Sequence, residues 1–305
     1  MSEQQRAALD ATLRKAPIDP RSDVAALRSG FEELMRRIPV AGDIRKTRTS
    51  VGGVDAIEVT VGGTDSTNVI LYFHGGVYVI GSAESSVPLV ADLARRTGAR
   101  VISVDYRLAP ENPYPAAVED ARAAYGGLLS QGVDPGDIAV AGESAGGGLA
   151  VAALLTLKGA GMPMPSSAFV MSPWVDLTLS GSTIIDKQDV DATLTAEGLR
   201  LRVGDYVVGA EASDPHISPI FGDLRGLPPM LIQVGSHEIL LSDAIRLAER
   251  AAKDDVAVTL EVVPGVPHVF QAFAAALDEG DAAMSRAAEF LNEHFAGATV
   301  RTAAP

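Results

Sequence analysis

Residues 140–148 constrain this chain more than any other stretch. They read Val140-Ala141-Gly142-Glu143-Ser144-Ala145-Gly146-Gly147-Gly148, between a short apolar run at 137–141 and an Ala- and Leu-rich run at 149–158. The first run suits a buried parallel strand and the second a helix. Between them lies G-x-S-x-G, whose sharp strand-to-helix turn lifts a serine hydroxyl to the top of a sheet. Glycine at 142 and 146 leaves room where a Cβ would meet backbone. The same turn sets the N–H of Ala145 and a helix N-terminus where a negative oxygen develops in acyl transfer. Ser144 is the expected nucleophile. Close packing of a Gly-rich helix start could explain the five residues alone, so the reading depends on partners elsewhere in the chain.

The rest of the chain supplies a frame for such a turn. Residues 44–61 read as two strands around Gly52-Gly53, the second alternating at Val54-Asp55-Ala56-Ile57-Glu58-Val59. Later strands are expected at 69–73, 101–105, 138–141, 168–171, 230–234 and 258–263. Helices are expected near 84–97, 115–130, 145–159, 242–253 and 281–295. This alternation predicts an α/β fold with a mostly parallel central sheet and helices on both faces. With 47% hydrophobic residues, the chain can fill both of those faces. Residues 3–38 read as two amphipathic helices parted by 16–20, with Val24, Leu27, Phe31, Leu34 and Ile38 at helical spacing. Lying before the strands, they are free to fold over the sheet. Residues 176–228 break the rhythm: they are polar, carry a helix-like stretch at 195–208, and end at Pro228-Pro229. The expected division is an N-terminal helical part of a cap at 1–43, core at 44–175, a second cap segment at 176–215 and core again at 216–305. Residues 297–305 read as frayed.

Charge and composition exclude several functions. A net charge of −14 repels nucleic-acid phosphates and anionic headgroups, so neither nucleic acid nor a membrane surface is an expected partner. No apolar run nears the roughly 20 residues of a membrane span. The start, Met1-Ser2-Glu3-Gln4-Gln5-Arg6, lacks a signal-peptide pattern, so the expected location is cytoplasmic. With no cysteine, thiolate metal sites, disulfides and cysteine nucleophiles are excluded.

A serine hydroxyl needs a base, usually histidine, and the chain has five: His74, His216, His237, His268 and His294. His268 follows the last expected strand in a loop held by Pro264, Gly265 and Pro267, where the order serine, acid, histidine returns a base to the nucleophile. His294 is expected to face solvent from a C-terminal helix, His216 sits in the insertion, and His237 reads as structural. The acid belongs beyond a strand end between Ser144 and His268. Glu238 lies in such a loop, whereas Asp243 already enters the next helix, where the helix dipole explains a carboxylate. Glu238 is the expected acid and Asp243 the alternative. The second half of the oxyanion hole is expected at His74-Gly75-Gly76-Val77-Tyr78, from the N–H groups of Gly75 and Gly76, with His74 as a brace. Asp105 and Arg107 are read as an ion pair that stiffens a loop.

Three stretches resemble the bacterial hormone-sensitive-lipase-like (family IV) esterases of the α/β-hydrolase superfamily. They are His74-Gly75-Gly76-Val77-Tyr78, the run from Asp105-Tyr106-Arg107 to Pro115-Ala116-Ala117, and Gly142-Glu143-Ser144-Ala145-Gly146-Gly147. The resemblance covers about 68–275 and implies an α/β-hydrolase fold with a helical cap. It also implies a cofactor-free serine carboxylester hydrolase acting on small, short-chain acyl esters, with Ser144, Glu238 and His268 in the catalytic roles. A homodimer paired through the last strand is a further implication. Three departures stand out: Glu238 replaces the usual aspartate, Val77 stands in place of a third glycine, and Glu143 stands where aspartate is commoner.

Other readings use the same residues. An amidase or acyltransferase would differ only in its second substrate. A non-catalytic small-molecule receptor on this fold would lack the histidine, and His268 is present. Candidate pocket walls are Phe31, Met35, Val77, Tyr78 and Trp174, with core packing the simpler account of Phe31 and Met35. Val77 in place of glycine predicts a narrow acyl pocket.

Overall fold

The structure, a computed structural model, describes residues 2–15 and 21–296. The expected break at 16–20 and the expected fraying at 297–305 lie outside them. Two helices come first, α1 (Ser2–Leu13) and α2 (Val24–Arg36). A hairpin follows, β1 (Ile44–Val51) and β2 (Val54–Val61), turning on Gly52 and Gly53 with φ of 60° and 82°. The alternating series is β3 (Val69–Phe73), α3 (Val87–Thr97), β4 (Arg100–Val104), α4 (Ala116–Ser130), β5 (Ile138–Glu143), α5 (Ala145–Gly159) and β6 (Ser167–Met171). Next come α6 (Thr183–Asp186) and α7 (Ala196–Tyr206), then β7 (Met230–His237), α8 (Leu241–Lys253), β8 (Val258–Pro267) and α9 (Asp278–His294).

Among the described residues the strands form one eight-stranded sheet in the order β1-β2-β4-β3-β5-β6-β7-β8. The first two pairings, β1 with β2 and β2 with β4, are antiparallel; all later ones are parallel. A parallel sheet needs cover on both faces, which is why its strands carry unbroken apolar runs. On β3 and β5, Leu71, Phe73 and Val140 point into one core with α4, α5 and α8, while Ile70, Tyr72, Ala139 and Ala141 meet α3 and α9 on the other. Each large aliphatic side chain so buried contributes about 1.5–3 kcal/mol. α5 is apolar all round because the sheet, α4 and the segment after β6 enclose it.

Two expectations change. β8 runs on to Pro267, four residues beyond its expected end, through Pro264 and Gly265. As an edge strand it tolerates proline, since one row of its N–H groups has no neighbour. His268 therefore hangs directly from a strand end, rather than from a separate loop. Arg107 does not pair with Asp105. It binds Asp120, with Nε 2.9 Å from Oδ2, and Glu119, while Asp105 accepts the N–H of Ala83 at 2.6 Å. The loop is stiffened from α4, which carries both acceptors.

Candidate active site

Ser144 sits between β5 and α5 with φ 55° and ψ −122°, a conformation that L residues avoid and that costs on the order of 1–3 kcal/mol. Its surroundings enforce the strain. Its N–H donates to Met171 O at 2.9 Å, and its carbonyl accepts from Gly148 N–H at 3.1 Å and Trp174 N–H at 2.9 Å. A Cβ at Gly142 would lie 2.4 Å from Gly146 O, and one at Gly146 would lie 2.0 Å from Phe73 O. The serine hydroxyl is thus aimed by backbone on every side.

His268 Nε2 lies 3.0 Å from Ser144 Oγ, and His268 Nδ1 lies 3.2 Å from Glu238 Oε1. All three residues are buried: Ser144 is 5% exposed, His268 9% and Glu238 0%. Burial pulls the imidazolium down. The Glu238 carboxylate, with help from Asp191 and Glu143, outweighs it, so the net shift of His268 is upward. Glu238 Oε2 accepts the hydroxyl of Ser172 at 2.7 Å and the N–H of Gly235 at 3.2 Å. Ser172 Oγ in turn accepts the N–H of Val269 at 3.0 Å, so one serine ties the acid to the residue after the histidine.

The alternative acid stands elsewhere. Asp243 Oδ2 accepts the N–H groups of Val175 and Asp176, both at 3.0 Å, and the side chain makes no bond to His268. Burial, then the nearby Asp176 charge, push it up to about 8. The remaining histidines are distant in role. His237 is exposed, His216 Nδ1 meets Asp214 at 3.2 Å, and His294, half-buried rather than solvent-facing, turns Nδ1 to Phe290 O at 2.7 Å. His74 is buried, stacked on Tyr106 with centroids 4.3 Å apart, and its carbonyl accepts the Tyr106 hydroxyl at 2.7 Å.

The glycine loop departs from expectation at one position. The N–H of Gly75 is already engaged: it donates to Glu143 Oε1 at 2.7 Å, so it is not available to a substrate oxygen. The amides of Gly76, Val77 and Ala145 have no protein partner among the described residues. Gly76 has φ 118°, and a Cβ there would lie 2.1 Å from Ile80 O. Glu143 also accepts the hydroxyl of Tyr72. Burial pushes its carboxyl up to about 7 against those two hydrogen bonds. The residue that had no explanation in the sequence thus anchors the loop that carries the free amides.

A cavity of about 290 Å³ opens on Ser144 and His268. Phe31 and Met35 from α2 line it, as do Val77, Leu199 and Arg202. Phe31 and Met35, for which core packing was the simpler reading, face this space. Tyr78 and Trp174 do not line it. Both are buried, and Tyr78 stacks on Tyr206 with centroids 4.0 Å apart. Tyr78 turns away because the chain enters left-handed backbone at Val77 and Tyr78, with φ of 51° and 63°.

Sequence reasoning did not single out Ser172, Asp191 or Arg202. Asp191 Oδ2 accepts the N–H of Ile239 at 2.8 Å, and its Oδ1 accepts those of Thr193 and Leu194 at 2.8 Å, joining a cavity wall to the residue after Glu238. The only early signal was an aspartate two residues before a threonine, a common turn pattern. No group of three or more metal-ligating side chains stands together among the described residues, and none of their helices is long and apolar enough to cross a membrane.

The profile of a family with the alpha/beta hydrolase fold matches residues 70–272. An acetyl-hydrolase of Streptomyces hygroscopicus is 45% identical over 222 residues, 73% of this chain and 74% of that one. An esterase of Acinetobacter venetianus is 40% identical over 266 residues, 87% of this chain and 88% of its own. A crystal structure of an esterase from the bacterial hormone-sensitive lipase family superposes with a TM-score of 0.93 at 40% identity, covering 96% of this chain and 98% of that one.

Proposed function

This chain belongs to the alpha/beta hydrolase family of bacterial hormone-sensitive-lipase-like esterases and is a carboxylesterase; on that premise we propose that it cleaves short-chain acyl esters through an acyl-enzyme on Ser144. The observation that carries the reading is the run from Ser144 Oγ to His268 Nε2 at 3.0 Å and from His268 Nδ1 to Glu238 Oε1 at 3.2 Å. His268 takes the hydroxyl proton as Ser144 Oγ bonds to the ester carbonyl carbon. The carbonyl oxygen, now an anion, is held by the amides of Gly76 and Ala145, with that of Val77 beside them. Collapse breaks the bond to the alcohol oxygen, which receives the proton from His268. Water then gives a proton to His268, attacks the acyl carbon, and Ser144 leaves with that proton as the acid departs. Glu238 keeps Nδ1 protonated and steadies the imidazolium without taking the proton itself.

The helices at either end of this scheme act as a cap. α2 supplies Leu27, Phe31 and Met35 to the cavity and α7 supplies Leu199, while the core supplies the chemistry. Val77 and a volume of about 290 Å³ support a short acyl arm. β8 ends the sheet with Val262 exposed, which supports pairing of two chains along that edge; a monomer in light scattering removes the dimer.

An activated phosphonate tests the mechanism. It should label Ser144 in the native protein and fail to label Ser144→Ala, with labelling of His268→Ala slowed by several orders of magnitude. Equal labelling of the native and His268→Ala proteins refutes it. Hydrolysis of acetate, butyrate, octanoate and palmitate esters tests the acyl length, and a palmitate optimum ends the short-chain reading.

A further inference from the structure

The cavity above Ser144 is walled largely by hydrocarbon, yet it holds one feature that hydrocarbon substrates do not use. Among the described residues that line it, Arg202 is the only arginine or lysine. It stands on the face of α7 that also presents Gly198 and Leu199, four and three residues before it, with the N-cap Thr195 seven residues before. The residue is 7% exposed. Its Nε and Nη1 are buried and have no hydrogen-bond partner among the described residues. Asp205 Oδ2 lies 3.1 Å from Nε but out of alignment, and it too accepts no hydrogen bond. A guanidinium offers five N–H donors and no acceptor, so burial with donors unmet is costly unless an acceptor arrives.

We propose that Arg202 determines specificity by donating to a neutral oxygen acceptor, such as a ketone or a second ester carbonyl, on the substrate arm remote from the bond that Ser144 cleaves. The assignment rests on the esterase reading above. Asp205 decides between a neutral acceptor and a carboxylate. Its charge already balances the guanidinium, so a second carboxylate would leave one negative charge uncompensated in a buried site. The net charge of −14 adds a long-range bias in the same direction. Phe31 and Leu199 accept the methylenes between the two polar ends. The substrate class is then a small ester that carries a second, uncharged oxygen function a few carbons away.

Matched nitrophenyl esters of hexanoate, 5-oxohexanoate and glutarate test this, since they share a trimethylene acyl arm that ends in an ethyl, an acetyl or a carboxylate group of similar length. A parallel series of acetates places the same three groups on the alcohol arm. The native protein should favour the keto ester over its alkyl isostere by about tenfold in kcat/KM, chiefly through KM, in one of the two series. Arg202→Met should compress that preference to within about twofold, and Arg202→Lys, still a donor, should restore part of it. Because each ratio is taken within one variant, a smaller folded fraction cancels. Asp205→Asn should raise the relative rate on the carboxylate ester.

Ser144→Ala, titrated with the same esters by calorimetry, reads binding without turnover. Failure of the native protein to hydrolyse any of the esters counts against the esterase reading, while tighter binding of the keto ester by Ser144→Ala still supports Arg202. Equal affinities and equal rates for keto and alkyl esters in both series overturn the assignment. A native preference for the carboxylate ester over the keto ester overturns the choice of a neutral acceptor.

Discussion

The floor of the cavity and its roof are built by different physics. On the floor, Ser144, Glu238 and His268 follow strand ends, and each is fixed by buried hydrogen bonds to neighbouring backbone or side chains. The roof has far fewer such ties. α2 buries a single residue, Leu27, and is pinned at Arg28, whose Nε donates to Val79 O and Nη2 to Ala109 O, both at 2.8 Å. The loop before α7 is held to the floor by Asp191. On the proposed mechanism the reacting groups stand on strand ends, while the surfaces proposed to choose a substrate are held by these polar anchors.

That contrast predicts the largest losses on the floor. His268→Ala should lower kcat by roughly 10⁴-fold or more, leaving only the residual rate that amide donors and binding sustain. Single-turnover kinetics on a short nitrophenyl ester would read it. A loss under tenfold would mean that the floor is not where the chemistry sits.

Glu238→Gln is the next largest. Its Oε1 holds Nδ1–H, and an amide nitrogen turned to the same place would favour the wrong tautomer. On the order of 10³-fold in kcat is expected, with KM changed much less. Asp243→Asn, by contrast, should leave the pH profile of kcat in place, because Asp243 binds the backbone of Val175 and Asp176 rather than the imidazole.

The same contrast explains what could be read without coordinates. Ser144 was legible because strand, tight turn and helix are local, and the glycines at 142 and 146 announce the clash they avoid. His268 and Glu238 were legible as positions after expected strands, since a parallel sheet brings strand ends to one side. Assignments that needed a direction of approach were not. Gly75 looked like a donor because it lacks a side chain, yet its N–H is taken by Glu143 across 68 positions of sequence. Phe31 and Tyr78 were both candidate walls, and only Phe31 lines the cavity: an apolar residue on a helix and one in a glycine loop look alike until packing decides which faces it. Ser172 left no signal, because its value lies wholly in touching both Glu238 and Val269.

On the roof, effects should be smaller and should fall on binding. Arg28→Met removes both anchors to the 79 and 109 carbonyls and the ion pair with Glu111, 2.7 Å long. KM for short esters should rise several-fold while kcat holds within about twofold, since α2 lines the cavity but makes no hydrogen bond to Ser144, Glu238 or His268 among the described residues. An equal fall in kcat would show that the roof also positions the reacting groups, and the contrast between the two regions would fail.

The finest probe sits where floor and pocket meet. Glu143 has its carboxyl pushed up to about 7, chiefly by burial, and its charge helps to raise His268. A carboxyl raised in the folded state stabilises the fold fully below its ordinary value of 4.5, and that contribution fades as pH rises through about 7. Glu143→Gln removes this term, so its unfolding midpoint should decline less than the native one between pH 4.5 and 7. Asp243, raised to about 8, keeps part of the slope in both proteins. In the same variant His268 loses one of the charges that favour its protonated form, so the acid limb of kcat/KM should move to lower pH. The side-chain amide can still accept the N–H of Gly75 through its oxygen, so the amide loop should stay in place and the plateau rate should fall only a few-fold. Glu143→Ala lacks that acceptor, and its plateau should fall about tenfold further. If both variants lose the same activity, Glu143 acts through its charge alone, and the loop of Gly76 and Val77 holds itself.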